Sequence, residues 1–153
     1  MEHLTRAVNI ITRCTGLYRD EALAEVGLTS CQVPYMMRIC RQPGWTQEEL
    51  ARDLYVHKSS VTRTLAALEN GGWITRAPDP EDRRALRVYP TEKAEAALPR
   101  VCELMEEWNR LLLEELNPEE QACLLTLLSR VTRKAIAAAE PADAPRPDAD
   151  MPV

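Results

Sequence analysis

Lys58, Ser59, Ser60, Thr62 and Arg63 gather two cations and three hydroxyls within six residues, and Val61, Leu65 and Leu68 run among and beyond them at helical spacing. On a helix the polar set would face away from the apolar stripe. Small side chains let a backbone come close, hydroxyls donate to phosphates or base edges, and an arginine can pair bidentately with guanine. The chemistry on offer is recognition of a nucleic-acid groove. Taken alone, a solvated helix face with a weak cap explains the same residues equally well.

The elements around this helix change the balance. Thr46 and Glu49 form a T-x-x-E capping box, so a preceding helix should start at Gln47, with Leu50 and Leu54 on its buried side. Tyr55, Val56 and His57 then make the turn, and the second helix should run from Lys58 to about Asn70, where Gly71-Gly72 stops it. Trp73–Arg76 and Ala85–Tyr89 are short, β-prone runs on either side of a tip that holds Pro78, Asp79, Pro80, Glu81, Asp82, Arg83 and Arg84. The alternation predicts a two-stranded wing with Leu86 and Val88 inward and Arg87 and Tyr89 outward. An arginine-tipped ribbon beside an exposed polar helix suits a minor groove next to an occupied major groove.

At this point the sequence resembles the MarR family of bacterial winged-helix repressors. The resemblance rests on Leu28, Thr29 and Gln32 (L-T-x-x-Q), on L-E-N-G-G-W-I-T-R from Leu68 to Arg76, on D-P-E-D-R-R-A from Asp79 to Ala85, and on T-E-K from Thr91 to Lys93. It extends from residue 1 to about 139. It implies that Asp82 and Arg84 fall on the family's D-x-R wing motif, the aspartate orienting an arginine that enters the minor groove. Two positions depart from the pattern: His57 stands where a capping Ser or Asp is usual, and Pro90 where an apolar strand residue is usual.

A net charge of −5 has to be located before it is used. Between His57 and Arg87 there are six Lys/Arg against four Asp/Glu, while 94–139 and 140–153 are each acidic. The small local surplus predicts binding that depends on doubled contacts and weakens steeply with salt. No signal-like or membrane-length apolar run is present, so the expected location is cytoplasmic. Five cysteines (Cys14, Cys31, Cys40, Cys102, Cys123) show no metal-type spacing and read as free thiols. No metal, cofactor or enzyme constellation is expected, since His3 and His57 lack partners.

The flanks are helical. Leu4, Ala7, Val8, Ile11, Cys14, Tyr18, Ala22 and Val26 predict an amphipathic helix over 4–26, followed by Ser30 to about Arg41, slightly bent by Pro34. Thr91 should cap a helix to about Leu116, kinked at Pro99, and Asn117-Pro118-Glu119-Glu120 should start the last one, ending near Ala139. Residues 140–153 read as a disordered acidic, Pro-rich tail.

The fold class is therefore mainly α (α+β): a winged helix-turn-helix over 29–93, with 1–28 and 94–139 forming a helical dimerisation region. A closed monomeric bundle is the alternative. The resemblance implies a homodimeric repressor on double-stranded DNA with a palindromic operator. It also implies a small aromatic effector, with Tyr18, Tyr35, Met36 and Trp108 as candidate walls, though ordinary core packing explains those four as well. Lys58, Arg76, Arg83 and Arg87 are the expected phosphate contacts. The rival readings are a winged-helix protein-interaction module and a redox-sensing regulator built on Cys14.

Overall fold

The capping box at Thr46 and Glu49 forms as the sequence implies, and the fold can be followed outward from it. The computed structural model describes residues 3–82 and 85–139. Arg83, Arg84 and the acidic tail 140–153 lie outside the described residues. The chain divides into two compact units, residues 1–108 and 109–153.

In the first unit, Thr46 N–H donates to Glu49 Oε2 (2.7 Å) and Glu49 N–H to Thr46 Oγ1 (3.3 Å), which starts α3, Gln47–Asp53. A left-handed residue, Tyr55 (φ 52°), turns the chain into α4, Lys58–Asn70. α4 puts Val61, Leu65 and Leu68 fully into the core. Before these come α1, Leu4–Leu23, and α2, Val33–Arg41. α1 ends three residues short of the expected Val26, and the chain reaches Gly27 (φ 81°) through turns. Thr29 N–H does donate to Gln32 Oε1 (2.9 Å), but inside a turn, so α2 starts at Val33 rather than Ser30. Pro34 is therefore its second residue, where a missing N–H leaves no helical bond unmade and no bend is called for.

The wing is part of a three-stranded antiparallel sheet, where the sequence predicted two strands. β1 is Trp45–Thr46, β2 Ile74–Pro78 and β3 Leu86–Pro90, in the order β1-β3-β2. Trp45 pairs with Val88, and Ala77 with Arg87. Val88 is fully buried, as the alternation predicts, but Leu86 is exposed. It lies at the far end of β3, opposite Pro78, where the alternation continues beyond the core it would face.

One hydrophobic core joins α2, α3, α4 and the sheet with Leu23 of α1 and with Ala94, Val101, Leu104 and Met105 of α5, Glu92–Leu113. α5 runs through Pro99 without interruption and ends three residues before the expected Leu116. A half-buried ion pair, Arg38 Nε to Asp53 Oδ2 (2.6 Å), ties α2 to α3, with the Arg38 guanidinium over the Trp45 ring.

In the second unit Asn117 caps α6, Pro118–Ala139: its Oδ1 accepts from Glu119 N–H and Glu120 N–H, both at 3.0 Å. Gln121 Nε2 closes the turn by donating to Leu113 O and Leu116 O. None of the residues of α6 is buried, and Leu125, Leu127, Leu128 and Val131 are exposed.

Candidate nucleic-acid interface

The outer face of α4 is the expected one. Lys58, Ser59, Thr62 and Arg63 are exposed and Ser60 is half-buried, all backed by the apolar residues that seat the helix. Thr62 Oγ1 donates to Lys58 O (3.0 Å), so its proton is engaged and the oxygen is left to accept. Lys58 Nζ lies 2.8 Å from Glu48 Oε1, and the lysine holds that carboxyl below the usual range. Both groups are well exposed, so the pair is worth little and exchanges readily for a phosphate. His57 precedes the helix in extended conformation with no side-chain cap. Its carbonyl accepts from Ser60 N–H (2.9 Å) and Val61 N–H (3.2 Å).

Two of the expected phosphate contacts are engaged elsewhere. Arg76 lies on the Glu69 carboxylate, with Nε 2.9 Å from Oε2, joining β2 to the end of α4. The hydrogen bond lowers the carboxyl's pKa and raises that of the guanidinium. Arg87 Nε lies 2.7 Å from Asp79 Oδ2, and its Nη1 donates to Gly44 O at 2.9 Å. Arg87 was expected to point outward from its strand, and both arginines to meet phosphates. Instead they are half-buried braces, each held to a carboxylate by a charge-assisted contact.

Asp79 is the residue that sequence reasoning missed. It is only 6% exposed, and its Oδ1 accepts from Glu81 N–H (2.8 Å) and Asp82 N–H (3.3 Å). These N–H donors, chiefly that of Glu81, and the Arg87 guanidinium hold its carboxyl below the ordinary aspartate range. The available signal was D-P-E-D itself, since an Asp that begins a turn commonly accepts from the N–H two residues on. Asp82 is exposed.

The four candidate effector-wall residues do not behave as a set. Met36 is fully buried in the core, whereas Trp108 stacks on half-exposed Tyr18 (4.6 Å between centroids) and donates from Nε1 to Thr15 Oγ1 at 3.0 Å. Of the four, only Tyr35 lines the cleft of about 590 Å³ that runs beside α4 past Thr29, Cys31, Ser60 and Arg63. Cys14, Cys31 and Cys123 are exposed free thiols, and Cys31 sits in the turn before α2 rather than on that helix. Burial pushes the Cys40 thiol up. Among the described residues no His/Cys/Asp/Glu group could hold a metal ion, and no helix is long and apolar enough to cross a membrane.

A helix seated in a core with its polar face outward, followed by a braced hairpin, is the arrangement of a winged helix-turn-helix regulator. The model of the MarR family matches residues 28–86. Over 133 residues the chain is 28% identical to the uncharacterized HTH-type transcriptional regulator YybA of Bacillus subtilis (strain 168), covering 87% of this chain and 89% of that protein. A crystal structure of MarR is similar at 32% identity and a TM-score of 0.80, over 89% of this chain and 99% of that one. A Listeria monocytogenes protein complexed with a 26mer DNA shares the fold at 24% identity, TM-score 0.83, over 90% of this chain and 92% of that one. The chain belongs to the MarR family of winged-helix, DNA-binding transcriptional regulators.

Proposed function

We propose that the protein is a homodimeric, sequence-specific repressor that reads a palindromic operator and is released by a small aromatic effector. The observation that carries the reading is the face of α4: Ser59, Thr62 and Arg63 are exposed while Val61, Leu65 and Leu68 on the other side are fully buried. A helix so seated presents hydroxyls and one arginine to a major groove at no cost to its packing. Arg63 would pair with a base edge, Lys58 and Arg83 would meet phosphates, and Arg84, with Asp82 beside it in the motif, would enter the minor groove. Arg76 and Arg87 would brace the wing.

The dimer is supported by apolar surface left uncovered in one chain. α1 exposes Leu4, Val8, Ile10, Ile11 and Leu17, and α6 exposes Leu125, Leu127, Leu128 and Val131. Surface of this kind on terminal helices suits a two-fold partner, with α1, α6 and much of α5 as the dimerisation region and 29–93 as the reading unit. Repression and release are supported by the family resemblance, and the half-exposed Tyr18 ring, stacked on buried Trp108, offers an aromatic surface to an effector.

Selection of bound duplexes from a random pool tests the reading. The expected product is an inverted repeat whose half-sites lie about one helical turn apart. On that duplex Arg63→Ala should lose roughly 5- to 150-fold in affinity for each half-site, the worth of one bidentate base contact. Recovery of unrelated sequences, bound no tighter than random DNA, would favour a protein-binding module instead.

A further inference from the structure

The described residues of the wing tip, on either side of Arg83 and Arg84 in the chain, are gathered around one carboxylate. Asp79 gathers Glu81 N–H, Asp82 N–H and the Arg87 guanidinium, and its own N–H donates to Ala85 O at 2.9 Å. Ala85 N–H in turn donates to Asp82 O at 2.9 Å, so both residues that flank Arg83 and Arg84 in the chain are held. The same arginine reaches out of the wing to Gly44 O, and Gly44 N–H donates to Val88 O at 2.8 Å. The tip, the hairpin stem and the turn before β1 are thereby joined through Asp79 and Arg87.

We propose that Asp79 is the positioning residue of the wing: caged between two backbone N–H groups and Arg87, it presets the main chain on either side of Arg83 and Arg84 for entry into the minor groove. The proposal rests on the reading that the wing enters that groove. A tip of this length left free would have to be ordered at each binding event, which subtracts from affinity, whereas a tip ordered on folding binds without that cost. The charge is also well placed. A carboxylate at a DNA-facing tip would repel phosphates, but this one is buried behind Arg87 and neutralised by it.

The test is a double-mutant cycle, read by anisotropy on a duplex that the parent protein has selected from a random pool and on the same duplex with its A·T flanks changed to G·C. Arg84→Ala should weaken binding and abolish the preference between the two flanks. Asp79→Ala should do the same, losing tenfold or more, while keeping the preference between correct and altered major-groove half-sites and melting as one cooperative transition. Adding Asp79→Ala to Arg84→Ala should then cost less than Asp79→Ala costs in the parent, the remainder being the placing of Arg83. Asp79→Asn keeps an acceptor for the two N–H groups but releases Arg87, and should fall between parent and Asp79→Ala. Parent-like affinity and flank preference in Asp79→Ala, or additive losses in the double variant, would overturn the proposal. If Arg84→Ala itself binds like the parent, the minor-groove reading fails, and the proposal with it. Should Asp79→Ala not fold, amide exchange at Glu81, Asp82 and Ala85 in Asp79→Asn decides: parent-like protection, with parent-like flank preference, refutes the role of the Arg87 link.

Discussion

Replacing Gly71 by alanine puts a methyl group where the Trp73 indole already lies. A Cβ at residue 71 would stand 2.8 Å from Trp73 Cδ1, 3.0 Å from Nε1 and 3.3 Å from Ala67 O. The backbone there (φ −77°, ψ −3°) accepts any L residue, so the penalty is steric alone. The indole has little room to retreat. Trp73 is 3% exposed, Lys93 Nζ sits 4.0 Å from its ring centroid, and its backbone N–H and carbonyl are held by Leu68 O and the Thr91 hydroxyl. Overpacking of this kind costs about 1–3 kcal/mol. The reduced freedom of the unfolded chain returns about 0.4–1 kcal/mol. At the midpoints of the two ranges the net loss is about 1.3 kcal/mol, or roughly 3–5 °C in melting temperature for a chain of this size. Gly72 is the opposite case: nothing lies within 4 Å of its Cβ position, but φ is +71°. Asparagine, which tolerates the left-handed region, should therefore be mild at 72 and severe at 71. Thermal melts by circular dichroism at one fixed protein concentration measure this, with Gly71→Ala repeated in a Trp73→Leu background where the clashing atoms are gone. A Gly71→Ala variant as stable as the parent, or an equal cost in both backgrounds, would refute the steric argument.

Tyr55 is the non-glycine residue with positive φ among those described, and its side chain is 50% exposed. Tyr55→Gly and Tyr55→Ala both remove the side chain but only glycine suits this backbone, so denaturant titration should find the glycine variant the more stable of the two by about 1 kcal/mol, and the reverse order would contradict it. Because the Asp79 carboxyl is depressed in the folded protein, the stability it adds should be complete above the ordinary aspartate range and drain away as pH falls through the lower folded value. An NMR titration of its side-chain carbon with a midpoint at or above that range would exclude the cage. Salt dependence counts the phosphate contacts: under the proposed reading, Lys58 and Arg83 of two protomers would give a slope of log K on log salt of about −3.6, and recruiting Arg76 and Arg87 would bring it near −7. The steeper value would mean that those two leave their carboxylates on binding.

Local signals were legible because their physics is local. The capping residues Thr46 and Asn117, the apolar spacing of α4 and the two-glycine stop act within one or two turns of chain. β1 was not legible, since two residues cannot display an alternation, and it exists only because Val88 and Arg87 of β3 lie beside it. The fate of Arg76 and Arg87 was hidden for a related reason. Glu69 is reached across a turn, Asp79 across the hairpin and Gly44 from 43 residues away, so the pairings depend on strand register. Leu86 shows the limit of alternation itself, which assigns a side chain to a face without saying whether anything lies beneath that face.

α6 spends 22 residues on a helix that buries none of them in a single chain. If a second copy supplies the cover, folding of that segment follows mass action: dilution should lower the melting temperature, and each tenfold rise in concentration should restore part of it. The number of molecules in a cell would then set two quantities at once, the fraction intact and the fraction seated on its target. Such coupling makes shutdown sharper than occupancy alone would allow, because scarce molecules are lost from both counts.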